Sequence, residues 1–251
     1  MGNRTVEHFD ALAGRYSALR ASGADLDPVT EVVAELVDLS GRRILDVGCG
    51  PGTVVCQLVR AFGAEALGVD ASEKMIEAAR REVGELARFE VGQAEELPVE
   101  DESSDIALMR LTVHLVDRPL AFAELRRVLV PGGAVVITTT DPAGFESFWM
   151  QRLFPSYTAI ERRRFPDGST LAAELGAAGF REIRVFPHTV ERRFSREEAL
   201  QKLRGRAYST FVLMSDEEYE AGVAAAEATL PEEVRYDLRL LNVVARRTHV
   251  L

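Results

Sequence analysis

The chain has 251 residues, 47% of them hydrophobic and 28% charged, which suits one globular domain, or one domain with an elaboration, and allows a full-sized core. Acidic residues outnumber basic ones and leave a net charge of −10, a balance that argues against a nucleic-acid partner, since such binders usually carry a basic face. No run approaches the ~18 consecutive apolar residues of a membrane span, "MGNRTVEHFD" lacks the layout of a secretory signal, and Cys49 and Cys56 read as reduced thiols of a cytoplasmic protein with no zinc-like spacing.

Taken in chain order, "TVEHFDALAGRYSALR" carries apolar residues at helical spacing. "DPVTEVVAELVDL" follows as a second helix, with Asp27 as N-cap and Pro28 at its first position. The period then changes. "RRILDVGC" is a short apolar strand, Gly50–Pro51–Gly52 turns the chain, and "TVVCQLVRAF" is a helix. "AEALGVD" is a second strand, after which Ser72 caps the helix "EKMIEAARREV". "ARFEVGQA" and "SSDIALMR" are the third and fourth strands, "PLAFAELRRVL" is a helix, and Pro131–Gly132–Gly133 turns into a fifth strand, "AVVITTT". Unbroken alternation from about residue 42 to 140 is the pattern of a parallel sheet with helices on both faces.

Beyond Asp141–Pro142 the regularity loosens. "FESFWMQRLFPSYTAIERRRF" mixes aromatic and basic residues, and "STLAAELGAAGF" is a helix that Gly179 stops. "REIRVFPHTVERRF" is a strand, and "SREEALQKLRGRAY" and "SDEEYEAGVAAAEATL" are helices opened by a serine followed by acids. "VRYDLRLLNVVARR" alternates polar and apolar as a last strand.

The densest signal is "ILDVGCGPGT", residues 44–53. Gly48, Gly50 and Gly52 stand at a strand-to-helix turn, where lack of a Cβ lets backbone approach a ligand closely. Asp46 precedes them, and the spacing is G-x-G-x-G rather than the G-x-G-x-x-G of dinucleotide-binding folds. The second strand ends in Asp70, placed to accept hydrogen bonds from a ribose diol.

With "GVDAS", "VGQAEELP", "SSDIALMRLTVHLVD" and "ELRRVLVPGGAVVI" in the same order, the chain from about residue 8 to 140 resembles the class I S-adenosylmethionine-dependent methyltransferases. It looks most like their small-molecule branch, which includes the ubiquinone and trans-aconitate enzymes. The resemblance implies a doubly wound α/β fold with seven strands in the order 3-2-1-4-5-7-6, the last antiparallel. It divides the chain into an N-terminal helical cap (1–40), a cofactor-binding core (41–140), an α-rich lid that carries one core strand (141–230) and the final strand (231–251). It also implies S-adenosylmethionine as cofactor. Asp46, Gly48, Cys49 and Gly50 would cradle its methionine end, and Asp70 its ribose. Ala71 and Met75 would pack near the adenine, with Gln93, Ala94 and Glu95 on its other side. Gln93 stands where the family usually has Asp; its side-chain carbonyl keeps an acceptor for the adenine amino group. Arg110 and Leu111 would offer backbone at the end of the fourth strand. "FDALAGRYSALR" is either a packing helix or the family's N-terminal lid, with Tyr16 over the cofactor and Arg20 near the entrance.

Methyl transfer from a sulfonium is an in-line displacement that needs alignment and exclusion of water, and a base only when the nucleophile carries a proton. His114, just past the fourth strand, is therefore a general base, a wall of the site, or structural, and the wall is the preferred reading. The aromatics and arginines of residues 148–164 and 204–208 would close over a small anionic or aromatic acceptor. The Asn/Asp-Pro-Pro-aromatic tetrapeptide of amino-methylating nucleic-acid enzymes is absent after the fourth strand, where "RLTV" stands instead. The resemblance implies methyl transfer to a small molecule, with O-methylation of a carboxylate or hydroxyl as the expectation. Carbon or nitrogen methylation and a non-catalytic cofactor-binding role are its rivals.

Overall fold

The computed structural model describes residues 3–16 and 28–248. Asp27 and Arg20 lie outside the described residues. Seven strands form one sheet in the order β3-β2-β1-β4-β5-β7-β6, as the resemblance implies. They are β1 (Arg43–Val47), β2 (Glu65–Asp70), β3 (Arg88–Val91), β4 (Ser104–Arg110), β5 (Leu129–Thr140), β6 (Phe180–Ser195) and β7 (Glu233–Arg247). The first five pair in parallel, and β7 runs antiparallel to both β5 and β6.

Local chemistry sets the element ends as the residue types suggest. Ser72 Oγ accepts from Met75 N at 3.1 Å at the head of helix Glu73–Val83. Ser195 and Glu198 form a reciprocal capping box on helix Arg196–Arg204. One expectation changes: Pro131–Gly133 lie inside β5, where the pairing with β4 slips between Ser104 and Ile106. The sequence PGG therefore makes a bulge in a continuous strand rather than a turn that starts one.

Both faces of the sheet are buried, which is why β1, β4 and β5 read as unbroken apolar runs. On one face Phe122, Leu125 and Val128 of helix Arg118–Val128 pack with Leu171 and Leu175 of helix Gly168–Ala177. On the other, Val33 and Val37 meet Val54, Leu58, Ile106 and Val136. Thus helix Gly168–Ala177 belongs to the sheet's own core, although it lies within the stretch expected to be lid. A third, aromatic cluster gathers Phe145, Phe148, Phe154, Tyr157, Phe211 and Tyr219 beyond the carboxyl ends of the strands.

Gly222, in helix Asp216–Thr229, shows how tightly that cluster is packed: a Cβ there would sit 2.1 Å from the Phe154 ring, which is fully buried. Alanine gains up to about 1 kcal/mol of helix propensity over glycine, but overpacking typically costs ~1–3 kcal/mol or more. Because the clash is with a fully buried ring that also packs against Phe211, 5.3 Å away between centroids, we expect packing to win. Gly222→Ala should lower the urea midpoint; a rise would show that the cluster yields.

Candidate active site

The strand order reverses beside β1, whose neighbours are β2 and β4, and ligands of open α/β sheets bind in the crevice outside such a switch point. A cavity of about 510 Å³ opens there. Its floor is the turn after β1. Gly48 N and Cys49 N both donate to Val69 O, at 2.7 and 3.1 Å, and tie the turn to β2. Asp70 then bridges two backbone amides: Gly50 N donates to Oδ2 and Ser72 N to Oδ1, each at 2.9 Å. One carboxylate thus holds the glycine turn and the start of the next helix in register. Burial pushes the Asp70 carboxyl above its ordinary range, and these amide bonds pull it back.

Asp46 sits directly behind this floor, 2% exposed, and is not itself part of the cavity lining. Its Oδ1 accepts no hydrogen bond from any described residue. Burial pushes its carboxyl up to about 7, against a partial offset from the Arg110 guanidinium. Burial, followed by Asp46 and Asp70, also drives the Cys49 thiol up, so Cys49 serves as a neutral piece of wall.

At the end of β4, Leu111 holds a positive φ of 54° and its N–H donates to Thr138 O at 2.7 Å. The chain is thereby turned sharply at the cavity edge. Thr112 Oγ1 donates to Arg110 O at 3.1 Å. Its side chain fills the space above Gly48, where a Cβ would lie 2.3 Å from Oγ1.

Every residue expected to hold the cofactor lines this one cavity except Asp46, behind the floor, and Arg20, outside the described residues. Tyr16 contributes with Phe9, to which it is edge-on at 6.1 Å. Glu95 does more than line the wall, since its Oε1 accepts from Asp117 N at 2.8 Å and braces the segment after β4. His114 lies face to face with Phe165, ring centroids 3.8 Å apart and planes 15° from parallel.

The opposite wall comes in part from the segments expected to close over the acceptor: Phe148, Tyr157 and Tyr208 line the cavity, whereas Arg162, Arg163, Arg164, Arg204 and Arg206 do not. Phe148, Tyr157, Glu161 and Phe165 descend from residues 145–165, Tyr208 and Thr210 from the start of the 3₁₀ turn Ser209–Val212, and Tyr236 from β7. Tyr157 stacks on Phe148 at 5.3 Å and 10°, and Tyr236 meets Phe148 edge-on at 5.0 Å. Glu161, 4% exposed, accepts from Thr210 Oγ1 at 2.9 Å. In "TAIERRRF" it looks like one more charge on a solvated helix; the only clue is its placement one turn from Tyr157 and Phe165, both apolar-facing.

Residues 45–137 match the family model described as a methyltransferase domain. Among curated relatives, the demethylmenaquinone methyltransferase of Deinococcus radiodurans is 31% identical over 207 residues, covering 72% of this chain and 86% of that protein. The O-methyltransferase cnsE of Penicillium expansum is 35% identical over 113 residues, 43% of this chain. The match spans 41% of cnsE, so the chain covers under half of that relative's length. Among solved structures, a candidate methyltransferase from an antibiotic biosynthesis pathway of Anabaena variabilis superposes with a TM-score of 0.70 at 21% identity, over 85% of this chain and 95% of that one, a likeness of fold. With the sheet order, the glycine turn and these matches together, the chain belongs to the class I S-adenosylmethionine-dependent methyltransferases of the small-molecule type.

Proposed function

We propose that this protein transfers a methyl group from S-adenosylmethionine to an oxygen of a small aromatic acceptor. The observation that carries this reading is the continuity of one cavity, with a glycine-and-carboxylate floor on one side and an aromatic wall on the other. The floor fits the cofactor. Behind the floor Asp46 keeps a buried carboxylate oxygen without a partner among the described residues, a charge that suits the ammonium of a methionine moiety on the other side of the turn, and Gly50 has no atom within 4 Å of where a Cβ would stand. Asp70 keeps lone pairs beyond its two amide bonds for a ribose diol, and Gln93 lines the cavity where an adenine amino group needs an acceptor.

When bound, the cofactor supplies an electrophilic methyl on a sulfonium. The chain's own part is to hold and to exclude. Cys49, Leu111 and His114 give a close wall near the methyl position, and the aromatic side keeps water out and sets the acceptor's plane. In this reading residues 1–40 are the cap, 41–140 the cofactor-binding core, 141–230 the lid with one core strand, and 231–251 the last strand. The O-methyltransferase among the relatives supports oxygen as the acceptor atom. We also place the protein in the cytoplasm, in keeping with its two unpaired cysteines. Among the described residues no helix is long and apolar enough to cross a membrane, and no group of acids, histidines and cysteines is placed to hold a metal ion.

Calorimetric titration with S-adenosylhomocysteine, followed by an assay of its release from S-adenosylmethionine over a panel of hydroxylated acceptors, tests the proposal. Tight cofactor binding with no turnover on any of them would favour a non-catalytic role. His114, stacked on Phe165, serves as wall, so His114→Ala should act mainly on KM. A loss in kcat of more than about a hundredfold, roughly 2.7 kcal/mol, would make it the base.

A further inference from the structure

Glu161 stands apart from the other acids of the cavity. Asp70 and Glu95 bind backbone amides on the cofactor side, whereas Glu161 is the only carboxylate that the described residues after β5 contribute to the lining. One of its oxygens, Oε1, accepts from Thr210 Oγ1 at 2.9 Å and lies 3.6 Å from Arg164 Nη1. No described residue donates to Oε2. Arg164 directs its other nitrogen to Ser209 Oγ, at 2.8 Å, and lies over the Phe165 ring, 5.6 Å from its centroid. The ion pair is therefore loose on the Glu161 side, although burying a carboxylate costs several kcal/mol unless its lone pairs are satisfied. A pair that only fastened helix Tyr157–Arg164 to the segment Ser209–Val212 would close both oxygens. Burial raises the Glu161 carboxyl above its ordinary range, which suits a group that takes up a proton and releases it.

Flat rings make up much of the rest of this half of the cavity, Phe148 and Tyr157 stacked on each other, His114 and Phe165 likewise, with Tyr208 and Tyr236 beside them, and Arg192 and Lys202 line it too. A planar ring fits between such faces. An acceptor carboxylate would stand beside the Glu161 carboxylate, whereas a hydroxyl donates to it.

We propose that the acceptor is an aromatic hydroxyl compound whose O–H donates to Glu161 Oε2, and that Glu161 takes that proton as the oxygen is methylated. This rests on the methyltransferase reading and narrows it. A lone pair of the hydroxyl oxygen forms the new O–C bond as the methyl–sulfur bond breaks, its electron pair staying on sulfur. The hydroxyl proton passes to Glu161 and from there to water.

The test uses two probes with the same ring, 1-naphthol and 1-naphthoate, titrated calorimetrically into protein saturated with S-adenosylhomocysteine. The protein should prefer 1-naphthol by about tenfold or more, because like charges brought together cost several kcal/mol. Glu161→Gln, which keeps shape and removes charge, should shrink that preference to about threefold or less, mainly by improving 1-naphthoate. Transfer of labelled methyl to 1-naphthol should fall about a hundredfold or more in Glu161→Gln, with S-adenosylhomocysteine affinity unchanged. Equal or tighter binding of 1-naphthoate by the unaltered protein, or no binding of 1-naphthol, overturns the assignment without any variant. A preference unmoved by Glu161→Gln overturns it as well, and a fall in transfer of less than about tenfold removes the proton step. Failure to bind S-adenosylhomocysteine, measured first, would instead strike the methyltransferase reading itself.

Discussion

Replacing Asp46 by asparagine is expected to raise the melting temperature of the free protein at pH 8 while weakening S-adenosylhomocysteine about tenfold or more. The first half follows from burial. The side chain is 2% exposed, Oδ1 has no partner among the described residues, and the nearest opposite charge, Arg110, only partly offsets the cost. A carboxyl lifted from 3.8 to about 7 disfavours the ionised form by about 4 kcal/mol at most, at 1.36 kcal/mol per unit. An amide of the same shape avoids that cost, and a gain of ~1–4 kcal/mol would move the melting point up by several degrees in a chain of this size.

Between 3.8 and about 7 the folded chain holds a proton on Asp46 that the unfolded chain has lost, so stability from this group falls as pH rises through that window and is level above it. Asp70, also raised by burial, adds a contribution of the same sign that remains in the variant. The second half follows from charge. An ammonium in the site would favour ionised Asp46, so cofactor affinity should rise with pH up to about 7, and asparagine should flatten that rise. Losing the attraction of that buried carboxylate for an ammonium on the other side of the floor should cost about tenfold, roughly 1.4 kcal/mol. Scanning calorimetry and titrations at pH 6 and 8 read both halves. A destabilised variant with unchanged affinity would make Asp46 a structural residue only.

Much of this fold is legible because its grammar is local. Alternating periods place strands and helices from residue 42 to 140, and serine caps such as Ser72 and Ser195 place helix starts. The cofactor side is legible for the same reason: Gly48 and Gly50 follow β1, Asp70 ends β2 and Gln93 follows β3, so chain order already lays them along one edge of the sheet. The acceptor side is legible only in its aromatics: Phe148, Tyr157 and Tyr208 lie in the stretches expected to close over the site, but the polar contacts of that side do not follow from spacing. Glu161 and Thr210 are 49 residues apart and meet only because the long β6–β7 hairpin and its helices fold back over the strand ends. No spacing rule encodes such a meeting, and "ERRR" has the composition of a solvated helix face. His114 falls between the two cases. Its position after β4 is readable, but its partner Phe165 is not, and it is the stacking on Phe165 that makes it a wall.

The glycines of the floor should separate folding from binding. Both Gly48 and Gly50 hold positive φ, 77° and 53°, a conformation that costs an alanine about 1–2 kcal/mol. Beyond that shared cost they differ. At Gly48 a Cβ would lie 2.3, 2.5 and 2.9 Å from Oγ1, Cγ2 and Cβ of Thr112, so no rotation of that side chain relieves the clash. Thr112 is also held by its bond to Arg110 O, and Gly48 N by Val69 O. Gly48→Ala should therefore cost ~3 kcal/mol or more, the strained backbone and the overpacking together. Gly50→Ala meets nothing within 4 Å and should cost only the backbone share, about 1–2 kcal/mol. Yet Gly50 lines the cavity floor, and a methyl placed where the cofactor must approach the backbone should lower S-adenosylhomocysteine affinity by about a hundredfold, roughly 2.7 kcal/mol. Urea midpoints should fall in the order wild type, Gly50→Ala, Gly48→Ala, while Gly50→Ala should show the larger loss of affinity for its loss of stability. Thr112→Ala gives the internal control. It removes the two nearest clashing atoms and should restore part of the stability lost in Gly48→Ala, a coupling of about 1 kcal/mol or more between touching residues. If the two losses simply add, the Gly48 site is strained by its backbone alone.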